Sequence, residues 1–267
     1  MISAGIDIGA GTTKALLFDP NRGVLARASV RTRPDLEGTA REALAAACSA
    51  AGISPQEVSY IATTGYGRYQ VPERDIQITE VTCHARGARR LFPATRCILD
   101  IGAQSSRAVR IDERGRVVRF KMNDRCAAGA GKFLERVSRA LDIPLEELPA
   151  VALRSKDPQP ISSICAVLAE SEVINHISQG KPVEDILMGA HISIADRVLS
   201  LLRQVGGGEG EVTLTGGLAQ NPAMLQALEQ RLGRPLNRSS ESPFAGSLGA
   251  ALLGQQRLVR RVPGAPA

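Results

Sequence analysis

The stretch Ala4-Gly-Ile-Asp7-Ile-Gly-Ala-Gly-Thr-Thr-Lys14-Ala-Leu-Leu-Phe18 predicts two strands joined by a tight glycine turn. The first strand is apolar and ends at an aspartate, and two hydroxyls and a lysine follow the turn. Glycines tolerate positive φ and let main-chain N–H groups point at an anion. Asp7 cannot touch a phosphate directly, because both are negative, but it can hold a hydrated Mg²⁺ ion. The candidate phosphate contacts here are Gly9, Gly11, Thr12, Thr13 and Lys14.

The same pattern returns in the stretch Cys97-Ile-Leu-Asp100-Ile-Gly102-Ala-Gln104-Ser105-Ser106. A Gly-x-Gly turn alone is a weak signal, since a plain hairpin turn also explains it. Neither turn is a Walker A loop, because no Gly-Lys-Ser/Thr sequence opens a helix there. The repeat is more specific than either turn, because two such turns facing each other would hold a phosphate chain and its metal between two domains.

A second kind of signal lies in the stretch Met122-Asn-Asp-Arg-Cys126-Ala-Ala-Gly129-Ala-Gly131-Lys-Phe-Leu-Glu135. A cysteine precedes a predicted helix over residues 131–141, and two glycines let the main chain approach a ligand and offer N–H groups to a phosphate. Cys165 similarly falls in the predicted first turn of a later helix. A helix N-terminus lowers a thiol pKa and stabilises a thiolate or an anionic cluster.

Cys48, Cys83 and the three histidines, His84, His176 and His191, are interpreted as core or surface residues. Five cysteines are an odd number, which disfavours a disulfide framework and favours thiols or metal ligands. Farther along the chain, Thr215-Gly216-Gly217 follows a predicted strand, and bare main chain there suits a nucleoside. Gly246 and Gly249 predict close packing on one face of the last helix.

Bulk composition excludes several classes of protein. The chain has 267 residues, enough for two modest domains or one large one. Aromatic residues are only 3%, which argues against base-stacking nucleic-acid modules. No apolar run approaches the roughly 20 residues that span a bilayer, and no signal peptide is recognisable, so we expect no membrane partner and a cytoplasmic location. The net charge of +6 fits scattered surface arginines, or a basic docking face for an acidic partner or a CoA ester.

The two Asp-x-Gly turns, Thr215-Gly216-Gly217 and Gly246-x-x-Gly249 together resemble the actin-like ATPase superfamily. The resemblance implies an α/β fold of two RNase H-like domains with ATP in the cleft. Domain I would span residues 1–95 and be completed by the C-terminal helix at 246–258. Domain II, with the cysteines, would span residues 96–245.

The two cysteine segments, together with Thr64-Gly-Tyr-Gly-Arg68, resemble one family: the ATPase subunits of benzoyl-CoA reductase and the activators of 2-hydroxyacyl-CoA dehydratases. That resemblance implies one [4Fe–4S] cluster shared across a dimer, with Cys126 and Cys165 as this chain's ligands. It implies ATP/ADP and Mg²⁺, a second ATPase subunit, which is a homologous heterodimer partner or a second copy, an acyl-CoA-reducing or dehydratase component, and a ferredoxin-like electron donor. Within the family the chain looks most like the smaller ATPase subunit of benzoyl-CoA reductase, which acts in anaerobic aromatic degradation.

The mechanism that the resemblance implies assigns a role to each motif. Asp7 and Asp100 would hold hydrated Mg²⁺, Gln104 would orient the attacking water, and ATP hydrolysis would drive a one-electron reduction of an acyl-CoA by the partner. The nucleotide contacts outside the first turn would be Gly102, Gly129, Gly131, Lys132, Glu135, Gly216 and Gly217. One departure is Ser105, because the activators usually carry an acid there.

Three hypotheses follow for the function. The first is this ATP-driven electron donor, as a benzoyl-CoA reductase subunit or as a homodimeric dehydratase activator. The second is a small-metabolite kinase of the same fold, which would need no iron. The third is a regulatory module that holds nucleotide without turnover, which the missing acid at Ser105 would favour.

Overall fold

The computed structural model describes residues 1–123, 131–162, 166–207 and 209–261. The chain divides into two compact units. Unit 1 comprises residues 1–95, the short insertion Ile111–Val117 and the chain from Glu241 onward, and unit 2 comprises residues 96–110 and 118–240. The division differs from the predicted boundaries at the insertion and at residues 241–245, both of which lie in unit 1.

Runs of strands are followed by helices along the chain, as in an α/β fold. The strands are β1 (Ile2–Ile8), β2 (Thr12–Asp19), β3 (Gly23–Arg31), β4 (Val58–Gly65), β5 (Ile76–Gln77), β6 (Thr95–Ile101), β7 (Ser106–Ile111), β8 (Val117–Asn123) and β9 (Glu211–Thr215). The helices are α1 (Leu36–Ala51), α2 (Glu80–Leu91), α3 (Gly131–Leu141), α4 (Leu148–Ala152), α5 (Ala166–Ser178), α6 (Val183–Gln204), α7 (Pro222–Leu232) and α8 (Ala245–Arg261).

Unit 1 is built on a five-stranded sheet in the order β3-β2-β1-β4-β5. The first three strands form an antiparallel meander, and β4 joins the other side of β1 in parallel. Because parallel neighbours need a crossover, the chain passes through α1 between β3 and β4. Asp35 caps this helix through the Gly38 amide, and Gly52 ends it in the left-handed region with φ 68°.

Unit 2 repeats that arrangement with a four-stranded sheet in the order β8-β7-β6-β9. Strands β6 and β7 are antiparallel neighbours, as β1 and β2 are in unit 1. Thr213 of β9 pairs in parallel with Asn237 through an isolated bridge. This bridge takes the position next to β9 that β5 takes next to β4 in the first sheet. The two sheets therefore share one strand order, which matches the duplication predicted from the two Asp-x-Gly turns.

Glycines bring α8 against the sheet and against α2 in unit 1. A Cβ on Gly249 would lie 1.8 Å from the Cys83 carbonyl oxygen, and one on Gly5 would lie 1.9 Å from the Ser247 carbonyl oxygen. Such distances exclude any side chain, so the helix approaches its neighbours by main-chain contact. The close packing predicted for Gly249 is thus present, and its partner is α2.

The polar, proline-containing sequence of residues 145–160 predicts an irregular connection, but this stretch contains the short helix α4. Leu148 and Ala152 are fully buried in the core of unit 2. Their spacing of four residues places both on one face, a helical signal that the surrounding prolines and charges obscured in the sequence.

Candidate functional site

The first Asp-x-Gly turn joins β1 to β2 in the predicted way. The Gly9 amide donates to the Thr12 carbonyl oxygen at 3.2 Å, and a Cβ on Gly9 would lie 2.8 Å from that same oxygen. Gly11 is partly exposed and Thr12 is exposed, so both are accessible to a ligand. The hydroxyl of Thr13 is instead buried and lies 2.9 Å from the Thr32 hydroxyl. Thr13 therefore stabilises the turn from inside rather than offering its hydroxyl to a phosphate.

Asp7 lies at the centre of this turn's surroundings, where three segments of unit 1 converge. Gly65, at the end of β4, has φ 91°, and a Cβ there would lie 2.6 Å from Asp7 Oδ1. Gly246, at the start of α8, would place a Cβ 2.5 Å from Asp7 Oδ2. His84 Nε2 lies 3.9 Å from the same oxygen, and its side chain is 6% exposed. Only glycines leave room for this carboxylate.

His84 had no predicted role, as a core or surface residue. It is buried, and α2 brings it beside Asp7. Nothing local marks it, because the contact depends on how α2 and α8 pack. Lys14 faces Asp7 across the β1–β2 pair and is largely buried.

The second turn joins β6 to β7 with nearly the same main-chain geometry. The Gly102 amide donates to the Ser105 carbonyl oxygen at 2.9 Å, as Gly9 does to Thr12. Gln104 is exposed at the tip of the turn, where a water could reach it. Asp100 is buried, and Arg107 Nη1 donates to its Oδ2 at 2.6 Å.

Arg107 was not among the predicted site residues. The signal for it is the repeat itself, because a basic residue stands seven positions after the aspartate in both turns: Lys14 after Asp7, and Arg107 after Asp100. In both hairpins that spacing places the basic residue directly opposite the aspartate in register.

The start of α3 is hydrogen-bonded to the second turn. The amides of Gly131 and Lys132 donate to the carbonyl oxygens of Gly102 and Ala103 at 2.9 and 2.8 Å. Both amides are therefore used within unit 2, so the Gly131 amide is not available to a phosphate as predicted. The predicted contact of Lys132 with a sugar or base concerns its side chain and stays a prediction. Lys132 and Glu135 have partly exposed side chains beside this turn, and Gly129 lies outside the described residues.

The two glycines after β9 differ in their surroundings. Gly216 is buried with φ 85°, and a Cβ there would lie 2.5 Å from Asp100 Oδ1. Gly217 is exposed, and no described atom lies within 4 Å of a Cβ built on it. Of the two, Gly217 has the open main chain that a nucleoside would need, whereas Gly216 supports Asp100.

A buried histidine of α6 supports the start of α7. His191 Nδ1 lies 2.7 Å from the Leu187 carbonyl oxygen, and its Nε2 lies 3.1 Å from Asn221 Nδ2. The tautomer with the proton on Nδ1 satisfies both contacts. Asn221 in turn caps α7 by accepting from the Met224 amide. Burial lowers the pKa of His191 to about 4, so the ring stays neutral there near pH 7.

The predicted cluster ligands, Cys126 and Cys165, lie outside the described residues, so their role stays a prediction. The helices that follow them in the sequence are described. Helix α3 begins five residues after Cys126, and α5 begins directly after Cys165. Arg136 and Glu170, each little more than one turn into its helix, form an ion pair at 2.9 Å. The described flanks of the two cysteine segments are therefore neighbours in unit 2.

Ser162, three residues before Cys165, is anchored from α6. Its carbonyl oxygen accepts from Ser193 Oγ at 2.7 Å and from Arg197 Nη2 at 2.6 Å. The Arg197 guanidinium also lies over the Phe133 ring of α3, 5.6 Å from its centroid. One arginine thus ties α3 to the chain entering the second cysteine segment.

The other three cysteines are buried, and burial raises the pKa of each thiol, to about 12 for Cys83. Over residues 1–123, 131–162, 166–207 and 209–261, no group of three or more His, Cys, Asp or Glu residues could hold a metal ion. Cys48, Cys83 and Cys97 are therefore core residues. A search of the same ranges for a helix long and apolar enough to cross a bilayer found none.

Comparison with known proteins gives matches over nearly the whole chain. The family described as BadF/BadG/BcrA/BcrD ATPase family matches residues 4–254. The chain is 41% identical over 265 residues to a benzoyl-CoA reductase subunit of Thauera aromatica, covering 96% of this chain and 94% of that protein. It is 38% identical over 252 residues to the activator of lactoyl-CoA dehydratase of Anaerotignum propionicum, covering 94% and 96%.

A solved structure agrees with these matches. The activator of the 2-hydroxyisocaproyl-CoA dehydratase from Clostridium difficile, with bound ADPNP, is 32% identical, with a TM-score of 0.92 and complete coverage of both chains. The predicted actin-like α/β fold class is confirmed.

Proposed function

Because the chain belongs to the BadF/BadG/BcrA/BcrD ATPase family, we propose that it is an ATP-hydrolysing subunit that donates single low-potential electrons to an acyl-CoA-reducing partner enzyme. The partner we favour is a benzoyl-CoA reductase, since the Thauera aromatica subunit of that enzyme is 41% identical over nearly the full length. The observation that carries the ATPase part is the duplicated Asp-x-Gly turn, which has the same main-chain hydrogen bond in both units.

The nucleotide would be ATP, with its phosphates on the turns at Gly9–Thr12 and Gly102–Gln104. The buried carboxylates of Asp7 and Asp100 fit a hydrated Mg²⁺ ion, because oxygen ligands and retained waters are what that ion prefers. Exposed Gln104 would orient the attacking water. Gly217 would lie against the nucleoside, and Lys132 and Glu135 would contact its sugar or base.

Cys126 and Cys165 would supply two thiolates to a [4Fe–4S] cluster, and two more must come from a second subunit. When bound, the cluster supplies a one-electron reductant. The described chain supports these ligands in two ways. The ion pair of Arg136 with Glu170 holds their flanking helices together, and Arg197 anchors the chain that enters the second segment. A ferredoxin-like protein would return the electron.

The second candidate is the homodimeric activator of a 2-hydroxyacyl-CoA dehydratase. The observation in its favour is the full-length match, at a TM-score of 0.92, to the activator with bound ADPNP. Both candidates share the ATP turns and the cysteine pair, and they differ in the second subunit and in the acyl-CoA that the partner reduces.

Iron analysis with EPR tests the shared part of the proposal. Protein would be purified anaerobically with its partner subunit, as wild type, Cys126→Ala, Cys165→Ala and the buried control Cys97→Ala. We expect about four irons per dimer, as one four-iron cluster demands, retained in the control and lost in both ligand variants. An iron-free wild type that still binds ATP would contradict electron donation and favour a kinase or a nucleotide-binding regulator.

Mass measurement of the same preparation separates the two candidates. A homodimer that supports dehydration of a 2-hydroxyacyl-CoA would establish the activator. A complex with a different ATPase subunit that supports reduction of benzoyl-CoA would establish the reductase subunit.

A further inference from the structure

We propose that Arg107 is a positioning residue for ATP hydrolysis. It holds the Asp100 carboxylate in one orientation and offsets its negative charge. Asp100 then directs a water molecule, while Asp7 holds the Mg²⁺ of bound ATP. This inference rests on the proposed ATPase function and specifies how its two aspartates divide the work.

The first step is the ion pair itself. Arg107 Nη1 lies 2.6 Å from Asp100 Oδ2, and the two side chains are 8% and 3% exposed. An arginine stays protonated at every physiological pH, so the pair is permanent. Since both groups are shielded from solvent, salt screens their attraction little. The carboxylate therefore has a fixed cationic partner on one of its two oxygens.

The second step concerns the other oxygen. Gly216 has φ 85°, and a Cβ built there would lie 2.5 Å from Asp100 Oδ1 and 2.5 Å from the Ile101 carbonyl oxygen. The bare main chain of Gly216 thus lies close against the second oxygen. With Arg107 on one side and Gly216 on the other, the carboxylate has little freedom to rotate. A carboxylate fixed in this way suits a hydrogen bond to water in one direction.

The third step is the charge balance of the two turns. The Arg107 guanidinium offsets the charge of the Asp100 carboxylate, so Asp100 attracts a divalent cation less than a carboxylate without a cationic partner does. Among the described residues, Asp7 has no lysine or arginine within 4.0 Å, and its nearest basic side chain is His84, whose Nε2 lies 3.9 Å from Asp7 Oδ2. Lys14 lies opposite Asp7 in the strand register but forms no ion pair with it. A Mg²⁺ ion would therefore depend on the Asp7 side.

The test is a Mg²⁺ titration of ATP hydrolysis by the full chain with its partner subunit. For Asp7→Asn we expect the half-saturating Mg²⁺ concentration to rise about tenfold or more. For Arg107→Met we expect kcat to fall about tenfold or more, as for other residues that orient a site from behind. Its half-saturating Mg²⁺ concentration should be unchanged or lower, because Asp100 is left with its full charge.

Two further variants keep the test sharp. Arg107→Lys retains the charge and should recover part of kcat, so it also serves if Arg107→Met does not fold. The double variant Asp100→Asn/Arg107→Met should be no slower than Asp100→Asn alone, because the proposed effect of Arg107 on turnover passes through Asp100. Circular dichroism of every variant checks that the fold is retained.

Three results would overturn the proposal: a wild-type kcat in Arg107→Met, a half-saturating Mg²⁺ concentration that rises there as in Asp7→Asn, or losses that multiply in the double variant. A wild-type chain that binds no ATP by titration calorimetry would overturn the proposed function and this inference with it. A wild type that hydrolyses ATP while the variants fail these expectations overturns the division of roles alone.

Discussion

The two Asp-x-Gly turns are copies in main-chain geometry and differ in what surrounds the carboxylate. In unit 1, Asp7 lies against Gly65 and the Gly246 end of α8, with His84 at 3.9 Å. In unit 2, Asp100 lies against Gly216 and forms a 2.6 Å ion pair with Arg107. Both units thus have a glycine against the aspartate, Gly65 in unit 1 and Gly216 in unit 2, but they differ in the basic residue beside it. Two turns with the same motif therefore need not have the same role.

The largest effect on activity should come from Asp7, which has no arginine partner among the described residues. Asp7→Asn removes the charge that would position Mg²⁺ in the transition state as well as bind it. ATP hydrolysis should therefore fall about 100-fold or more even when Mg²⁺ is saturating, a loss typical of removing transition-state charge stabilisation. Phosphate release at saturating Mg²⁺ measures it. Asp19→Asn, at the far end of β2, is the matched control and should keep near wild-type turnover. Equal activity of Asp7→Asn and wild type would remove Asp7 from the site.

The second test compares stability rather than activity. Asp100→Asn leaves Arg107 buried without its carboxylate, which should cost about 3–5 kcal/mol of unfolding free energy. Asp7→Asn should cost far less, because no arginine depends on it. Urea unfolding of both variants measures the difference, and Arg107→Met should restore at least half of the stability that Asp100→Asn loses. A smaller loss in Asp100→Asn than in Asp7→Asn would reverse the comparison.

Acid should act on unit 2 through His191. The folded pKa is about 4 and the ordinary value is 6.5, so between these limits the unfolded chain binds the extra proton. The neutral His191 ring therefore stabilises the folded chain fully above pH 6.5, and this stabilisation is lost as the pH falls to about 4. The total loss is about 3 kcal/mol of unfolding free energy.

Urea unfolding at pH 7 and pH 4 measures that loss, with His191→Gln as the control that cannot titrate. The variant is expected to be less stable at pH 7 and to lose correspondingly less on acidification. If both chains lose the same amount, another group carries the acid sensitivity.

The smallest effects should come from the glycines behind the aspartates. Gly65→Ala and Gly216→Ala place a methyl group near a carboxylate oxygen at positive φ, and each should cost about 2 kcal/mol of unfolding free energy. Gly217→Ala meets no described atom within 4 Å and should change stability by about 0.5 kcal/mol or less. Thermal unfolding of the three variants ranks them. A neutral Gly216→Ala would show that Asp100 is less confined than its geometry indicates.

Much of the fold was readable because its signals are local. Apolar strands ending at Asp7 and Asp100, glycine turns and capped helices all lie within a few neighbouring residues. The repeat of one turn then predicted two similar units. The short helix α4 was missed because its two apolar positions lie among prolines and charges.

The site residues were harder to predict from the sequence where their contacts join segments that are distant in the chain. His84 reaches Asp7 only because α2 packs on α8 through Gly249, and no local pattern reports that packing. Arg107 could have been found, since it repeats the spacing of Lys14 from its aspartate. Both glycines after β9 were predicted to face a nucleoside, but Gly216 lies against Asp100 and Gly217 is open. Which glycine does which depends on a backbone angle that the sequence Gly-Gly does not determine.

The most direct measurement is electron transfer from the reduced protein to its partner enzyme, followed by rapid mixing under anaerobic conditions with ATP, ADP or no nucleotide. We expect the partner to be reduced with ATP but not with ADP or without nucleotide, and we expect Asp7→Asn with ATP to behave like wild type with ADP. Equal electron transfer with and without ATP, or full transfer in Asp7→Asn, would contradict an ATP-driven electron donor.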